Sequence, residues 1–311
     1  MPVVSTESER QQDVVARALR ALGRSTGWSD LRPIILGASG SSVHRLVVVE
    51  GDAVLKITTH RGETPPHARV EATFYRELAG RLRIRTPDLL GSAETSDLSV
   101  LLLSAAEPTL PAASWTVDDW LRVAGELGTL HGAVPVDELA TLDWLPGEAG
   151  DEDLSAAPRL RSWWAETSVY SFALPLLDRL PELRAIVQRV PRCLVHGDCH
   201  VDNLLVTDDG GFVWIDWQGV RTGRGVEDLA LLWQRAEFAG GTPPRAEMLA
   251  GYARSRDLHL DSTVSAALAA HELELLLTAW PEHLHQGTAA GRDALLGRLP
   301  ELADAARLSM R

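Results

Sequence analysis

The apolar pattern of this chain changes character once, and that change limits the folds open to it. Up to Ser104 the apolar residues come in short β-rich runs, at 34–36, 46–49, 54–57 and twice within "TPDLLGSAETSDLSVLLLS". Gly51-Asp52 is a hairpin-turn signal between two of these runs. Helical spacing appears at 11–23, where Val14, Val15, Ala18, Leu19 and Leu22 form one face ending near Gly23. A second helix is expected from Thr64 as N-cap, with prolines in its first turn and Val70, Phe74, Tyr75, Leu78 and Leu82 along its apolar face. From Thr116 the pattern is helical: 116–132, 154–180, 181–190, 226–239, 244–255 and most of 262–306. Only two short strands interrupt it, "NLLVT" and "FVWIDW", joined by the turn Asp208-Asp209-Gly210-Gly211. The expected protein is α+β, with a small antiparallel-sheet lobe over 1–104 and a large, mostly helical lobe over 105–311. A cleft is expected between them near Ser104–Pro108.

Composition narrows the classes of function. The formal net charge is −13, which argues against nucleic acid as a partner, because phosphate backbones call for a basic face. The excess is uneven: 13 Lys+Arg against 12 Asp+Glu up to Ser104, then 17 against 31 beyond it. An acidic solvated surface and an acidic cleft attracting a cationic small molecule both fit that distribution. The two cysteines, Cys193 and Cys199, make no disulfide framework, so a reducing compartment is expected. The charged N-terminus does not resemble a signal peptide, and no apolar run is long enough to span a membrane. These features predict a cytoplasmic protein with no membrane partner, as a monomer or homodimer.

The densest chemistry lies in "CLVHGDCHVDNLLV", residues 193–206. Cys193, His196, Cys199 and His200 offer zinc ligands in number, but structural zinc sites usually join two ligand pairs from separated segments, and this spacing has poor reach for a tetrahedron. A metallophosphoesterase would need further Asp-x-His and Asn-His motifs, which are missing. Read for oxygen instead, the stretch is H-x-D-x-x-x-x-N from His196 through Asp198 to Asn203, and Asp216 follows after a hairpin in "VWIDW". An Asn and an Asp brought together by a hairpin suit Mg2+, which takes few protein ligands and shares the rest with substrate phosphates. Asp198 is then left to accept a hydroxyl proton, the division of labour that phosphoryl transfer needs.

That reading asks for a lysine on an upstream strand and an acid on the next helix. The only lysine among 30 basic residues, Lys56, lies in "AVLKIT", and Glu71 follows on the helix, with Glu77 as the fallback partner. A compact ammonium differs from a guanidinium in how it meets phosphate, so a lone lysine among arginines is informative. Upstream, the small-residue turn "LGASGSSV" places Gly37, Ser39, Gly40, Ser41 and Ser42 where backbone N–H groups could approach phosphates.

In "HGDCHVDNLLV", "WIDWQGV" and "GRGVEDLALLW", with support from "AVLKIT" and "GTLHG", the chain resembles the aminoglycoside phosphotransferase and choline kinase-like family of the protein-kinase-like fold. The motifs are dense over 193–233 and in order over 31–107. The resemblance implies ATP or GTP as donor, Mg2+, and a small-molecule hydroxyl as acceptor. It also implies Asp198 as base, Asn203 and Asp216 as metal ligands, Lys56 with Glu71 as the phosphate anchor, and backbone near Ser104 and Ala106 against the purine. Ile-Asp-Trp stands where protein kinases have Asp-Phe-Gly, and Cys199-His200 where family loops often have Leu-His.

Other residues carry bland readings beside functional ones. His196 is expected to pack the loop, and Asp228 to cap a helix and brace it. His200, Trp217, Glu227 and Trp280 are candidate substrate contacts, since ten tryptophans against four phenylalanines leave rings to spare for an acceptor pocket. A basic antibiotic, aminoglycoside or amino sugar is the expected acceptor, with choline or another amino alcohol as the alternative. A nucleotide-binding pseudokinase and a metallohydrolase using Asp198, His200 and Asp216 are rivals of a different class. A protein kinase is disfavoured, because "WQGVRTGRGVEDLA" is too short for a peptide platform.

Overall fold

The computed structural model describes residues 7–34, 41–106, 110–148, 157–166, 173–207, 209–286 and 288–306. The chain forms two compact units, residues 1–81 with 85–107 and residues 82–84 with 108–311.

The first unit contains α1 (Glu7–Ala21), β1 (Ser29–Ile34), β2 (Ser41–Val48), β3 (Gly51–Thr59), α2 (Pro66–Glu77), β4 (Leu89–Glu94) and β5 (Leu98–Ser104). The strands make one antiparallel sheet in the order β1-β2-β3-β5-β4. Pro33 is tolerated because β1 is an edge strand. Strand alternation decides what each face carries. Leu46, Val48, Ala53, Leu55, Ile57, Leu98, Val100 and Leu102 pack against Val15, Ala18 and Leu19 of α1. Lys56, opposite Val43 and Leu101, therefore points to the other face. The first turn of α2 differs from expectation. Its N-cap is Pro65, without a side-chain cap bond, and the Thr64 hydroxyl donates to the Glu94 carboxylate instead. Pro66 at the first helical position has no N–H to satisfy, which lowers the need for a capping hydroxyl.

The second unit contains α3 (Val117–His131), α4 (Val136–Leu139), α5 (Ala157–Glu166), α6 (Ala173–Leu177), α7 (Leu180–Val187), β6 (Cys193–Val195), β7 (Leu204–Val206), β8 (Phe212–Trp214), β9 (Arg221–Gly223), α8 (Val226–Phe238), α9 (Arg245–Arg256), α10 (Ser262–Thr278), α11 (Ala289–Gly297) and α12 (Leu299–Ala305). α3 starts at a capping box in which Thr116 and Asp119 exchange bonds. α10 is apolar nearly all round and runs through the centre, packed on α7, α8 and α12. Four short strands stand where the sequence shows two: β7 pairs β8, and β6 pairs β9 from Cys193↔Gly223 to Val195↔Arg221. Three-residue strands are too short to display an alternation, so the second pair leaves no periodic trace. The helical pattern expected over most of 262–306 is divided among α10, α11 and α12, with breaks after Thr278 and after Gly297 and with Pro281 and Pro300 just inside the turns that follow.

Several carboxylates of this unit are paired inside it, which leaves its net negative charge unchanged. Glu272 accepts from Arg245 at 2.7 Å and from Arg298 at 2.6 Å, while Arg245 also holds Glu237 through two bonds of 2.6 and 2.8 Å. Gln234 ties the same region together, donating to the Glu272 carbonyl and accepting from the Trp280 indole. Trp120, Trp164, Trp214 and Trp217 are among the largest fully buried side chains. Among the described residues no helix is long and apolar enough to cross a membrane.

Helices α3 and α9 approach closely because Gly128 has no side chain. A Cβ there would sit 2.4 Å from the Tyr252 carbonyl oxygen and 2.8 Å from Ser255 Cβ. We expect Gly128→Ala to destabilise the protein by about 1–3 kcal/mol through overpacking against backbone. Urea unfolding should show a lower midpoint with an unchanged slope.

Candidate active site

In the first unit, Lys56 Nζ straddles the Glu71 carboxylate at 2.8 and 3.0 Å. The two side chains are 12% and 3% exposed, so a charged pair is held inside an otherwise apolar stripe of α2. Such a pair stands only when geometry and further bonds offset the cost of desolvation. Glu77, the fallback partner, is exposed. Ser41 and Ser42 open β2 opposite Thr58 and Ile57, and the Ser41 hydroxyl is 2.7 Å from that of Thr58. Gly37, Ser39 and Gly40 lie outside the described residues. At the end of β5, Ser104 N–H donates to the Asp88 carbonyl and Ala105 N–H to that of Asp52, while Ser104 Oγ accepts from Asp88 N–H. The next backbone group is that of Ala106.

In the second unit, β6 delivers the chain into a loop whose backbone is pinned by one carboxylate. Asp228, in the first turn of α8, accepts from His196 N–H at 2.7 Å and Gly197 N–H at 2.9 Å. It also lies 3.0 Å from His131 Nε2 of α3. Burial alone would raise the Asp228 pKa, but the hydrogen bond from His131 and the neighbouring positive groups outweigh it and hold it at about 2. Asp228 thus braces the loop, as expected, yet caps no helix: Gly225 is the N-cap of α8.

Each ring and amide of the loop has a fixed direction. His196 Nε2 faces the Ile215 carbonyl at 2.9 Å, so it carries the proton, and Nδ1 accepts from Asp198 N–H at 3.3 Å. Burial pushes its pKa down, and its ring lies against Trp217, centroids 4.5 Å apart. Gly197 has φ +81°, and a Cβ on it would fall 1.9 Å from the Gly219 carbonyl oxygen, so this position needs glycine for both reasons. Asn203 Nδ2 donates to the Asp198 carbonyl at 2.9 Å and lies 3.2 Å from its carboxylate. The Asn203 carbonyl accepts from Ile215 N–H, just beyond the Leu204↔Trp214 pair, so the β7–β8 ladder brings Asn203 and Asp216 to the same end. Asp216 leaves β8 in the left-handed region, φ 63°, which turns its side chain away from the strand direction.

Asp198 keeps a side chain 37% exposed. Burial raises its pKa, but hydrogen bonds from His200 and Asn203 and the nearby histidines win, leaving it below the usual range and ionised at neutral pH. His200 Nε2 is 3.5 Å from Asp198 and Nδ1 is 3.4 Å from Asp202, which Arg235 of α8 meets at 3.3 Å. Burial lowers the His200 pKa, and its two carboxylate neighbours raise it by more.

Several expectations need correction. Trp217 is fully buried, its indole N–H given to the Trp214 carbonyl, and Trp280 is buried with its N–H on Gln234, so neither ring is available to an acceptor. Glu227 is spent on Arg224 N–H at 3.0 Å and on Arg221 at 3.2 Å, where it shapes the turn from β9 into α8. Cys193 and Cys199 are both buried; burial pushes the Cys193 thiol up to about 12 and that of Cys199 well above its ordinary value, so neither is a ready thiolate. Among the described residues no group of three or more His, Cys, Asp or Glu is placed to hold a metal ion. The donor set of Asn203 and Asp216, two hard oxygens, fits Mg2+ shared with phosphates. His131 is the residue whose position the sequence leaves silent. It stands in "GTLHG" and continues the apolar face of α3 after Leu127 and Leu130, but neither feature marks Asp228 as its partner.

The pinned loop has a consequence for acid stability. Asp228 is depressed in the fold, so its contribution is present above its unfolded value and is lost as pH falls through about 4 toward 2. His131 and His196 are also depressed, as buried neutral rings, so folding stability already declines as pH falls below about 6.5. Melting temperature should drop monotonically over this whole window, and Asp228→Asn should flatten its lower end while lowering stability at pH 7.

The phosphotransferase enzyme family, APH, matches residues 30–263. No curated protein matches the chain. Among solved structures, an aminoglycoside-3'-phosphotransferase of type VIII is similar with a TM-score of 0.54 at 22% identity, covering 84% of this chain and 96% of that one. A microcompartment-associated aminopropanol kinase is similar with a TM-score of 0.59 at 16% identity, covering 95% and 97%. Spectinomycin phosphotransferase APH(9)-Ia, in complex with ADP and spectinomycin, is similar with a TM-score of 0.56 at 14% identity, covering 96% and 97%. At these identities the structural likeness is one of fold, and the sequence match spans most of the chain. The chain belongs to the phosphotransferase enzyme family and has its protein-kinase-like fold.

Proposed function

We propose that the protein transfers the γ-phosphoryl group of ATP or GTP to a hydroxyl of a small cationic acceptor: an aminoglycoside, another basic antibiotic or an amino sugar. The observation that carries this reading is Asp198, an ionised and partly exposed carboxylate held by Asn203 and His200 on a loop whose backbone Asp228 holds through two N–H groups. An acceptor hydroxyl hydrogen-bonded to Asp198 is oriented for attack, and its proton passes to that carboxylate as the oxygen–phosphorus bond forms and ADP or GDP leaves. Asn203 Oδ1 and the Asp216 carboxylate would hold Mg2+, which neutralises charge on the donor phosphates. In the first unit, Lys56, fixed by Glu71, is a compact positive charge suited to a nucleotide phosphate. The N–H groups of Ser104 and Ala105 are already engaged, so Ala106 supplies the backbone N–H for a purine edge.

A cationic acceptor is supported by the 31 acidic against 17 basic residues beyond Ser104, a field that raises the local concentration of cations. A small amino alcohol is the second reading, favoured by the aminopropanol kinase among the structural neighbours.

The test is acceptor-dependent ADP release across amino sugars, aminoglycosides, peptide antibiotics, nucleosides and amino alcohols. With the best acceptor, Asp198→Ala should lower kcat by about 10²–10⁴-fold. Full activity in that variant sinks the mechanism, ADP release independent of any acceptor favours a hydrolase, and nucleotide binding without turnover favours a pseudokinase. Lys56→Arg should raise KM for the nucleotide with a smaller effect on the acceptor, because a guanidinium cannot occupy the ammonium's place against Glu71. Because Asp198 is held below the usual carboxylate range, the acid limb of kcat/KM should lie below the pH where an ordinary aspartate titrates.

A further inference from the structure

The Asp228 carboxylate is the end of a longer buried chain. His131 Nδ1 is 2.9 Å from the Tyr252 hydroxyl, and that oxygen accepts from Arg256 Nη1 at 2.6 Å. Arg256 Nη1 also donates to the Arg224 carbonyl at 3.1 Å and Nη2 to the Pro191 carbonyl at 2.8 Å. Pro191 precedes β6 and Arg224 follows β9, so one guanidinium on the last turn of α9 clamps both sides of the ladder that leads into the loop.

Donor counting fixes the direction of every bond. Arginine only donates, so the Tyr252 oxygen accepts from Arg256 and must give its own proton onward. The acceptor facing it is His131 Nδ1, which must then be unprotonated, leaving Nε2–H for the Asp228 carboxylate. Asp228 in turn takes three donors, from His131, His196 and Gly197. The opposite tautomer of His131 would set a lone pair against a carboxylate and an N–H against the Tyr252 hydroxyl, whose own proton would then face only donors. Gly225 lies over the junction: a Cβ on it would fall 2.5–2.6 Å from the Tyr252 hydroxyl, Arg256 Nη1 and His131 Nδ1. The whole arrangement reaches the loop because α9 seats on Gly128 of α3.

We infer that Arg256, Tyr252 and His131 form a one-directional hydrogen-bond relay that positions the catalytic loop through Asp228, so that helix α9, outside the reacting centre, sets the geometry of Asp198. These are positioning residues, and the inference rests on the phosphotransfer reading only for its effect on turnover. Its structural half, the hold on two backbone amides, is independent of that reading.

Tyr252→Phe is the discriminating variant, because the ring keeps its edge contact with His131, centroids 5.5 Å apart, and loses only the hydroxyl. Amide hydrogen exchange at His196 and Gly197 should quicken about tenfold or more in this variant, while β2 and β3 amides of the other unit stay protected. With the best acceptor, kcat should fall about ten- to a hundredfold with both KM values within about twofold of wild type. His131→Gln, whose amide can accept from Tyr252 and donate to Asp228, should recover most of the activity that His131→Leu loses. Nitrogen-15 NMR of the wild-type imidazoles should show His131 protonated at Nε2. Unchanged exchange at the two amides, an Nδ1–H tautomer, or quickened exchange with an undisturbed kcat each overturns the relay. If exchange behaves as stated while Asp198→Ala retains full turnover, the relay stands as a structural device and the phosphotransfer reading fails alone.

Discussion

One carboxylate organises the helical unit. Asp228 is buried, ionised and bonded to three donors, two of them consecutive backbone N–H groups of the loop that carries Asp198. A buried charge of this kind is tolerable only when every lone pair that matters has a donor, and losing one donor costs far more than the net worth of the bond. The neighbouring elements can be read as the means of supplying those donors. α3 brings His131, β6 brings the loop amides, and α9 supports His131 from behind.

Close backbone approaches make that convergence possible. Gly197 stacks on Gly219 and Gly128 admits α9, and in each case a Cβ would meet a carbonyl oxygen at well under contact distance. The loop is thus held by groups with no rotamers to relax into, which favours a fixed placement of the Asp198 carboxylate over an adaptable one. In the first unit the same economy holds for Lys56. It projects from the sheet face opposite α1 and meets a glutamate buried in α2, so its position is set by strand alternation and by one ion pair.

How far the sequence reveals this depends on the range of the interaction. The β-to-helix change of pattern, the five-stranded sheet and the main helices are legible because periodicity is a local property. The H-x-D-x4-N spacing and the lone lysine locate side chains that the structure does bring together, Asp198 with Asn203 and Lys56 with Glu71. Short motifs carry that much because loop geometry there is nearly local. His131 to Asp228 and Tyr252 to His131 span 97 and 121 residues, and nothing in the residue types announces such pairings. The β6–β9 ladder leaves no trace in the pattern because three residues cannot show alternation. Trp217 and Trp280 fill the core against expectation, because a surplus of tryptophan looks the same in sequence whether the rings face a pocket or pack inside.

The central claim is that the γ-phosphoryl group ends on an acceptor hydroxyl. Phosphorus-31 NMR of the wild-type protein turning over ATP with its best acceptor tests this directly. The account predicts a new phosphate monoester resonance coupled to carbon-bound protons of the acceptor, growing in step with ADP. Inorganic phosphate appearing in step with ADP, with no monoester, would contradict it.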